Sequence, residues 1–332
     1  MSAPRPILQV AMFDFSAPGE TDCALVLCCD AAYLPYSLHL AHQVVLAHPG
    51  RDFDIHIASA QPLALPGWAE RAGIGNLVVT EDAALSALPT HRLPSATYLR
   101  LALPDVLAGR YRRLLYLDSD FFLENGGLDR LLRLDLGPHV LAAVQDVDPL
   151  LQPGFHASEF RAQGFGALPY FNAGLLLIDI PGWRHEAVLA RGLDLVALVP
   201  AVMRLHDQSL LNGVLRGQFA ELSPVWNWMC NQRFPLLTRS YPPRLRHFIG
   251  GTKPWSDPTG RHDARFVAAY AAFFQRTGIE APLTVPPAGL RLMPVDMMAR
   301  HMLDQHRMRK RLMAQLGRFR DEWEVKLVAG AA

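Results

Sequence analysis

From Ala24 onward, short apolar runs alternate with longer stretches in which apolar positions recur every three or four residues. The runs predict buried strands over 24–29, 53–58, 76–79, 113–117 and 140–144, and the longer spacing predicts helices over 35–47 and 183–198. Ser95 can cap a further helix holding Thr97, Tyr98, Arg100 and Leu101, which leads through Pro104 and Gly109 into the 113–117 strand. Residues 145–169 form a long stretch rich in Gly, Pro and Gln, of the kind that can cover a site as a lid. Residues 170–180 are apolar except at Asn172, Gly174 and Asp179. His206-Asp207-Gln208 then opens a short amphipathic helix with Leu210, Leu211 and Leu215, where Asp207 is a ready capping residue and Gln208 a poorer one. This alternation predicts an α/β layer fold with a mostly parallel central sheet.

Beyond Ala288 the pattern changes. Arg300, Arg307, Arg309, Lys310, Arg311, Arg318 and Arg320 are interleaved with Leu312, Leu316, Phe319, Trp323 and Leu327, whose spacing makes one helical stripe. Two placements are open: the stripe lies on anionic lipid, or it packs on the domain or on another subunit. The chain divides accordingly into an extension over 1–22, one domain over 23–287 and a basic amphipathic helical tail over 288–332.

With 332 residues, half of them hydrophobic and 19% charged, the chain can bury a large core and is no disordered polyelectrolyte. A net charge of +1 argues against a general nucleic-acid binder, which needs a clustered cationic excess. No stretch reaches the ~20 uninterrupted apolar residues of a spanning helix. Pro4, Pro6, Gln9, Asp14 and Pro18 interrupt any signal-peptide core. Cys23, Cys28, Cys29 and Cys230 lack the paired spacing of a zinc site and read as reduced, buried thiols. The expected location is cytoplasmic, with contact at the inner face of the membrane if the tail binds lipid.

Asp118-Ser119-Asp120 follows directly on Leu114-Leu115-Tyr116-Leu117, so two carboxylates leave the end of a predicted buried strand. Residues two apart on an extended chain point to one side and can converge on one cation. Without a cation they would repel a diphosphate by roughly 4 kcal/mol per charge pair at an effective dielectric of about 20; a divalent ion reverses that sign. By itself the triplet is equally a solvated turn. Downstream, the segment His247-Phe248-Ile249-Gly250-Gly251-Thr252-Lys253-Pro254-Trp255 puts an imidazole, a flexible glycine pair and an ammonium in one stretch. Glycines let backbone approach a phosphate, and Lys253 supplies charge. Asn172, inside an apolar run, is costly unless hydrogen-bonded or facing a ligand.

Taken in order from Ala24 to Trp255, these segments resemble glycosyltransferase family 8, the retaining enzymes that include lipopolysaccharide galactosyl- and glucosyltransferases and glycogenin. The resemblance is carried by Asp30 with Tyr33, Thr97-Tyr98-Leu99-Arg100, Leu115 through Asp120, Tyr170-Phe171-Asn172-Ala173-Gly174, Asp207-Gln208 with Leu211-Asn212-Gly213, and His247 through Trp255. It implies a single GT-A domain that holds a UDP-sugar, UDP-glucose or UDP-galactose, at the carboxyl edge of its sheet. It also implies Mn2+, with Mg2+ as the alternative, on Asp118, Asp120 and His247. Ser119, Gly250, Lys253 and Arg100 would contact the donor, Asp30 and Tyr33 its uridine, Asn172 and Asp207 its sugar, and Asp146 that sugar or the acceptor. Gln208 stands where a nucleophile or cation stabiliser is expected; a neutral amide is a poor nucleophile, which favours attack from the leaving-group face. The family's usual Asp-Asp-Asn-Tyr run here reads Asp30-Ala31-Ala32-Tyr33, and Ser209 replaces a common Asp. The acceptor would be a glycan or lipid-linked glycan. Two rivals stand beside this reading: a metal-dependent phosphoesterase, and a protein that binds sugar nucleotides without turnover.

Overall fold

A computed structural model describes residues 21–79, 96–152, 154–199, 205–229, 234–257, 260–281, 283 and 294–327. Cys230, Ser95 and most of the N-terminal extension lie outside the described residues. The first half is built of β1 (Cys23–Cys28), α1 (Leu34–Ala47), β2 (Asp54–Ser59), α2 (Gly67–Arg71), β3 (Ile74–Val78), α3 (Ala96–Val106), β4 (Arg113–Leu117), β5 (Phe121–Leu123) and α4 (Leu128–Leu132). Then come β6 (Leu141–Ala143), α5 (Val147–Leu151), α6 (Ser158–Ala162), β7 (Leu175–Asp179), α7 (Ile180–His185), α8 (Val188–Leu198), α9 (His206–Leu215) and β8 (Ala220–Glu221). The chain closes with α10 (Pro235–Ser240), β9 (Leu245–His247), α11 (Ala264–Thr277), α12 (Val295–Leu316) and β10 (Lys326–Leu327).

The central sheet runs β10-β8-β6-β7-β4-β1-β2-β3, and β5 pairs with β9 in a separate antiparallel ribbon. Both faces of the sheet are covered, which is why its strands read as continuous apolar runs. Along β1, Cys23, Leu25 and Leu27 face one core with α1 and α11, while Ala24, Val26 and Cys28 face the other with α3 and α9. β4 and β7 alternate in the same way. Cys23, Cys28 and Cys29 are buried free thiols, and burial pushes the Cys28 thiol far up.

The sheet is mixed. β1 pairs in parallel with β2 and β4, and β2 with β3, but β7 runs antiparallel to both β4 and β6. Strand direction is not written in hydrophobic periodicity, because a strand buried on both faces reads alike in either sense. The consequence is positional: an antiparallel β7 brings its entry, Asn172-Ala173-Gly174, beside the exit of β4. The apolar stretch 170–180 is strand only from Leu175, and the expected 183–198 helix is two helices, divided at Ala187 in a left-handed conformation (φ 50°). The 145–169 stretch is anchored at its start by a bridge between Gln145 and Phe171 and contains α5 and α6.

The tail packs on the domain. Leu312 and Leu316 on α12 are buried against Trp228, Phe234 and Leu237, and Phe319 is buried as well. Arg318 pairs with the buried Glu221 at 2.6 Å, Trp323 lies on Trp226, and β10 extends the central sheet beside β8. Of the two placements open to the stripe, packing on the body is the one observed. No described helix is long and apolar enough to cross a membrane.

Candidate active site

β4 delivers Asp118-Ser119-Asp120 to a crevice at the carboxyl end of the parallel strands, where Asp118 N–H donates to the Gly174 carbonyl (2.9 Å). The β5–β9 ribbon sets Phe121 opposite His247, and the two rings stack at 4.3 Å. His247 Nε2 thereby lies 3.2 Å from Asp120 Oδ1 and 3.7 Å from Asp118 Oδ2. Gly174 makes room for that ring: a Cβ there would fall 2.3 Å from His247 Cε1.

One ligand atom each from Asp118, Asp120 and His247 lies within 4.8 Å of the others. Asp120 Oδ1 is buried and accepts no hydrogen bond; His247 Nε2 is near it without hydrogen-bond geometry. Two carboxylates and an imidazole suit a divalent cation of the Mn2+ or Mg2+ kind, so the donor set fits the group. Lys253 Nζ stands 2.5 Å from Asp120 Oδ2 and 2.5 Å from the Phe248 carbonyl. Burial would raise the Asp120 carboxyl, but His247 and Lys253 outweigh it and hold the group well below the usual carboxylate range.

Arg100 is buried in the crevice wall. Its guanidinium reaches Asp118 (2.9 Å), Asp207 (3.2 Å) and the Ala173 carbonyl (2.9 Å) and sits 4.4 Å over the Tyr116 ring. Tyr116 hydroxyl donates to Asp118 Oδ1. Burial raises Asp207 to about 6, with the Asp118 charge adding to the rise and Arg100 opposing it. Arg100 and Asp207 thus brace the wall as an ion pair. Ser119 is likewise turned inward, its hydroxyl bonded to Ser37 Oγ (2.7 Å) and donating to the Cys28 carbonyl (3.3 Å).

On the opposite wall Asp146, Asn172 and Gln208 form a polar cluster. Asn172 Nδ2 and Gln208 Nε2 both donate to Asp146 Oδ2 (3.1 and 3.0 Å), while Asp146 Oδ1 caps α5 by accepting from Asp148 N–H. At the rim, Asp30 Oδ1 accepts from Tyr33 N–H, and the Tyr33 ring, 38% exposed, meets Tyr36 and Trp255 edge-on. Gly250 adopts φ 85°, a conformation that favours glycine, with open space around it. Asp30, Tyr33, Arg100, Asp118, Ser119, Asp120, Asp146, Asn172, Asp207, Gln208, Gly250 and Lys253 line one cavity of about 660 Å³, which His247 reaches through its contacts with Asp118 and Asp120.

Every site residue read from the sequence is therefore brought to one crevice. Sequence reasoning missed Asn227, whose amide joins His247 to Asn172, and Tyr116 and Ser37 behind the carboxylate turn. Asn227 carried the signal that singled out Asn172: an amide among apolar neighbours, here Val225, Trp226, Trp228 and Met229.

A family model described as glycosyl transferase family 8 matches residues 24–259. The chain belongs to this family. Among curated relatives, this family 8 member is 30% identical over 189 residues to general stress protein A of Bacillus subtilis, covering 52% of this chain and 63% of that protein. It is 29% identical over 182 residues to a lipopolysaccharide 1,2-glucosyltransferase of Escherichia coli, covering 52% of each. The chain thus spans about half to three-fifths of the length of the curated relatives it matches. Its fold is shared with the galactosyltransferase LgtC, solved in complex with donor and acceptor sugar analogs: TM-score 0.62, 24% identity, 80% of this chain and 97% of that one.

Proposed function

We propose that the chain transfers a hexose, glucose or galactose, from a UDP-sugar to a glycan or lipid-linked glycan with retention at the anomeric carbon. The reading takes Mn2+ as the metal, with Mg2+ as the alternative. The observation that carries it is the convergence of Asp118, Asp120 and His247 beside Lys253 in a crevice large enough for a nucleotide sugar. A divalent cation there would act as a Lewis acid on the diphosphate leaving group. Lys253 supplies an ammonium at the same place, where negative charge grows as the sugar departs. Gly250 offers backbone without a side chain at the phosphate end. The Tyr33 face serves the base, with backbone around Ala31 and Ala32 in place of the family's usual side chains.

The sugar falls to the Asp146, Asn172 and Gln208 cluster. Gln208 is held at both ends, its Nε2 on Asp146 and its Oε1 on Asn172 Nδ2 and Ala173 N–H. A neutral amide so bound stabilises positive charge on the sugar with its oxygen dipole and does not displace the leaving group. Asp207 is braced by Arg100. Attack from the leaving-group face, with the UDP phosphate taking the acceptor's proton, follows from the lack of a free nucleophile among these two residues. The kinship to a lipopolysaccharide glucosyltransferase supports the acceptor class.

The outward side of α12 supports placement of the chain at the inner face of the membrane. Leu303 and Met313 are exposed there among the exposed Arg300, Arg307, Lys310 and Arg311.

The deciding experiment measures nucleotide release from a panel of sugar nucleotides with Mn2+, Mg2+ or chelator, in wild type and Asp120→Ala. Release of UDP from a UDP-hexose that requires metal is the expected result. Asp120→Ala should lower it by more than the roughly 100-fold typical of losing an outer-shell partner, with the fold retained by circular dichroism. Phosphate release from simple esters would instead establish the phosphoesterase, and binding without turnover the non-catalytic reading.

A further inference from the structure

Behind the candidate metal site runs a chain of buried amides whose direction is set by two backbone groups. Gly174 N–H donates to Asn172 Oδ1 (3.0 Å) and Ala173 N–H to Gln208 Oε1 (3.0 Å). A backbone N–H can only donate, so both side-chain amides are fixed with their oxygens toward the backbone. Asn172 Oδ1 also faces Asn227 at 2.9 Å, and Asn227 must present its Nδ2 there. Its oxygen is then turned to His247 Nδ1 at 3.0 Å. An amide oxygen only accepts, so Nδ1 is the nitrogen that carries a proton toward it. The Nε2 lone pair of the neutral ring then faces the Asp118 and Asp120 carboxylates, an acceptor-on-acceptor contact that a divalent cation between them would turn into coordination. The competing tautomer would set the Nδ1 lone pair against the Asn227 oxygen at that same 3.0 Å. Asn227 is 1% exposed and Asn172 9%, so little water is on hand to soften the conflict.

We propose that Asn227 is a positioning residue: it holds His247 in the metal-binding tautomer and ties that choice to the orientation of the Asn172, Asp146 and Gln208 cluster. The two halves of the crevice, metal side and sugar side, are thereby one hydrogen-bonded unit. This inference rests on the metal and sugar roles proposed above.

Two measurements test it. Long-range 1H–15N correlation spectra of the metal-free wild-type protein at alkaline pH, with His247→Gln for assignment, should show His247 protonated on Nδ1. A ring protonated on Nε2 overturns the proposal. Mn2+ titration followed by electron paramagnetic resonance, together with donor kinetics, is then run on Asn227→Leu and Asn227→Asp. Asn227→Leu should weaken Mn2+ binding about 10- to 100-fold. Asn227→Asp still accepts from Nδ1 but cannot donate to Asn172, so it should keep Mn2+ affinity near wild type while kcat/KM for the donor falls about tenfold. Unchanged Mn2+ affinity in Asn227→Leu, or parallel losses in both variants, refutes the coupling. If wild type binds no Mn2+, the proposed function fails on its own, and the spectrum alone decides the tautomer.

Discussion

At the scale of single residues, Gly174 shows how little freedom the site has. The missing side chain matters because the His247 ring fills its place, with a Cβ falling 2.3 Å from Cε1, 2.9 Å from Nδ1 and 3.0 Å from Asn172 Oδ1. Gly174→Ala must push His247 off Asp120 or strain the entry of β7. Metal affinity should drop about 10- to 100-fold, as when an orienting contact is lost. Stability should fall by about 1–3 kcal/mol, the usual cost of overpacking. Calorimetric metal titration and thermal melts of the variant check both; wild-type affinity would mean the ring has another resting place. The pair of Ser119 and Ser37 carries a second lesson. Between two outward carboxylates, the serine turns inward and ties the turn to α1 and β1.

At the scale of elements, α1 and β2 each bury a histidine that the site does not use. His39 on α1 packs 4.0 Å from the Tyr270 ring, and burial, with help from His42 and Arg276, lowers it to about 3. His56 on β2 is lowered to about 4, again by burial, with Arg110 assisting and Asp54 opposing; its Nε2 is 2.8 Å from the Tyr111 hydroxyl. In the unfolded chain both titrate near 6.5. The folded state binds their protons less readily, so their contribution is intact above pH 6.5 and is lost as pH falls toward 4. Denaturant titrations from pH 7.5 to 4.5 should show stability declining by roughly 1.4 kcal/mol per pH unit for each histidine once the unfolded side chain is protonated. His39→Leu and His56→Gln should each flatten that slope; slopes equal to wild type would place the acid sensitivity elsewhere.

At the scale of the whole molecule, the tail packs on the domain with one side of α12 and leaves another side exposed. Leu312 and Leu316 close a core with Trp228 and Phe234, and β10 completes the sheet edge. The outward basic side is not part of that packing. Leu316→Ala should therefore cost about 2–5 kcal/mol of stability, whereas reversing Arg307, Lys310 and Arg311 to Glu should leave the melting temperature near wild type. In co-sedimentation with vesicles of anionic phospholipid, the charge-reversed protein should stay in solution while wild type pellets; equal partition of the two would end the membrane reading.

Much of this was legible in the chain itself. Apolar runs fixed where strands and helices lie, since burial on both faces of a sheet demands continuous hydrophobicity. Asp118, Asp120, His247, Lys253 and Asn172 announced themselves as polar groups at strand ends or within apolar stretches, and their order gave the family. The sequence could not say that β7 runs antiparallel, because periodicity carries no direction. That direction is what sets Gly174 against Asp118. Asn227 stood out in the chain as an amide among apolar neighbours, but its role could not be read there, because it depends on the Asn172 oxygen and the His247 nitrogen meeting it from distant parts of the chain. The tail followed the same rule: its amphipathic stripe was plain in the sequence, but which surface covers it was decided by the apolar groove that Trp228, Phe234 and Leu237 present only once the domain has folded.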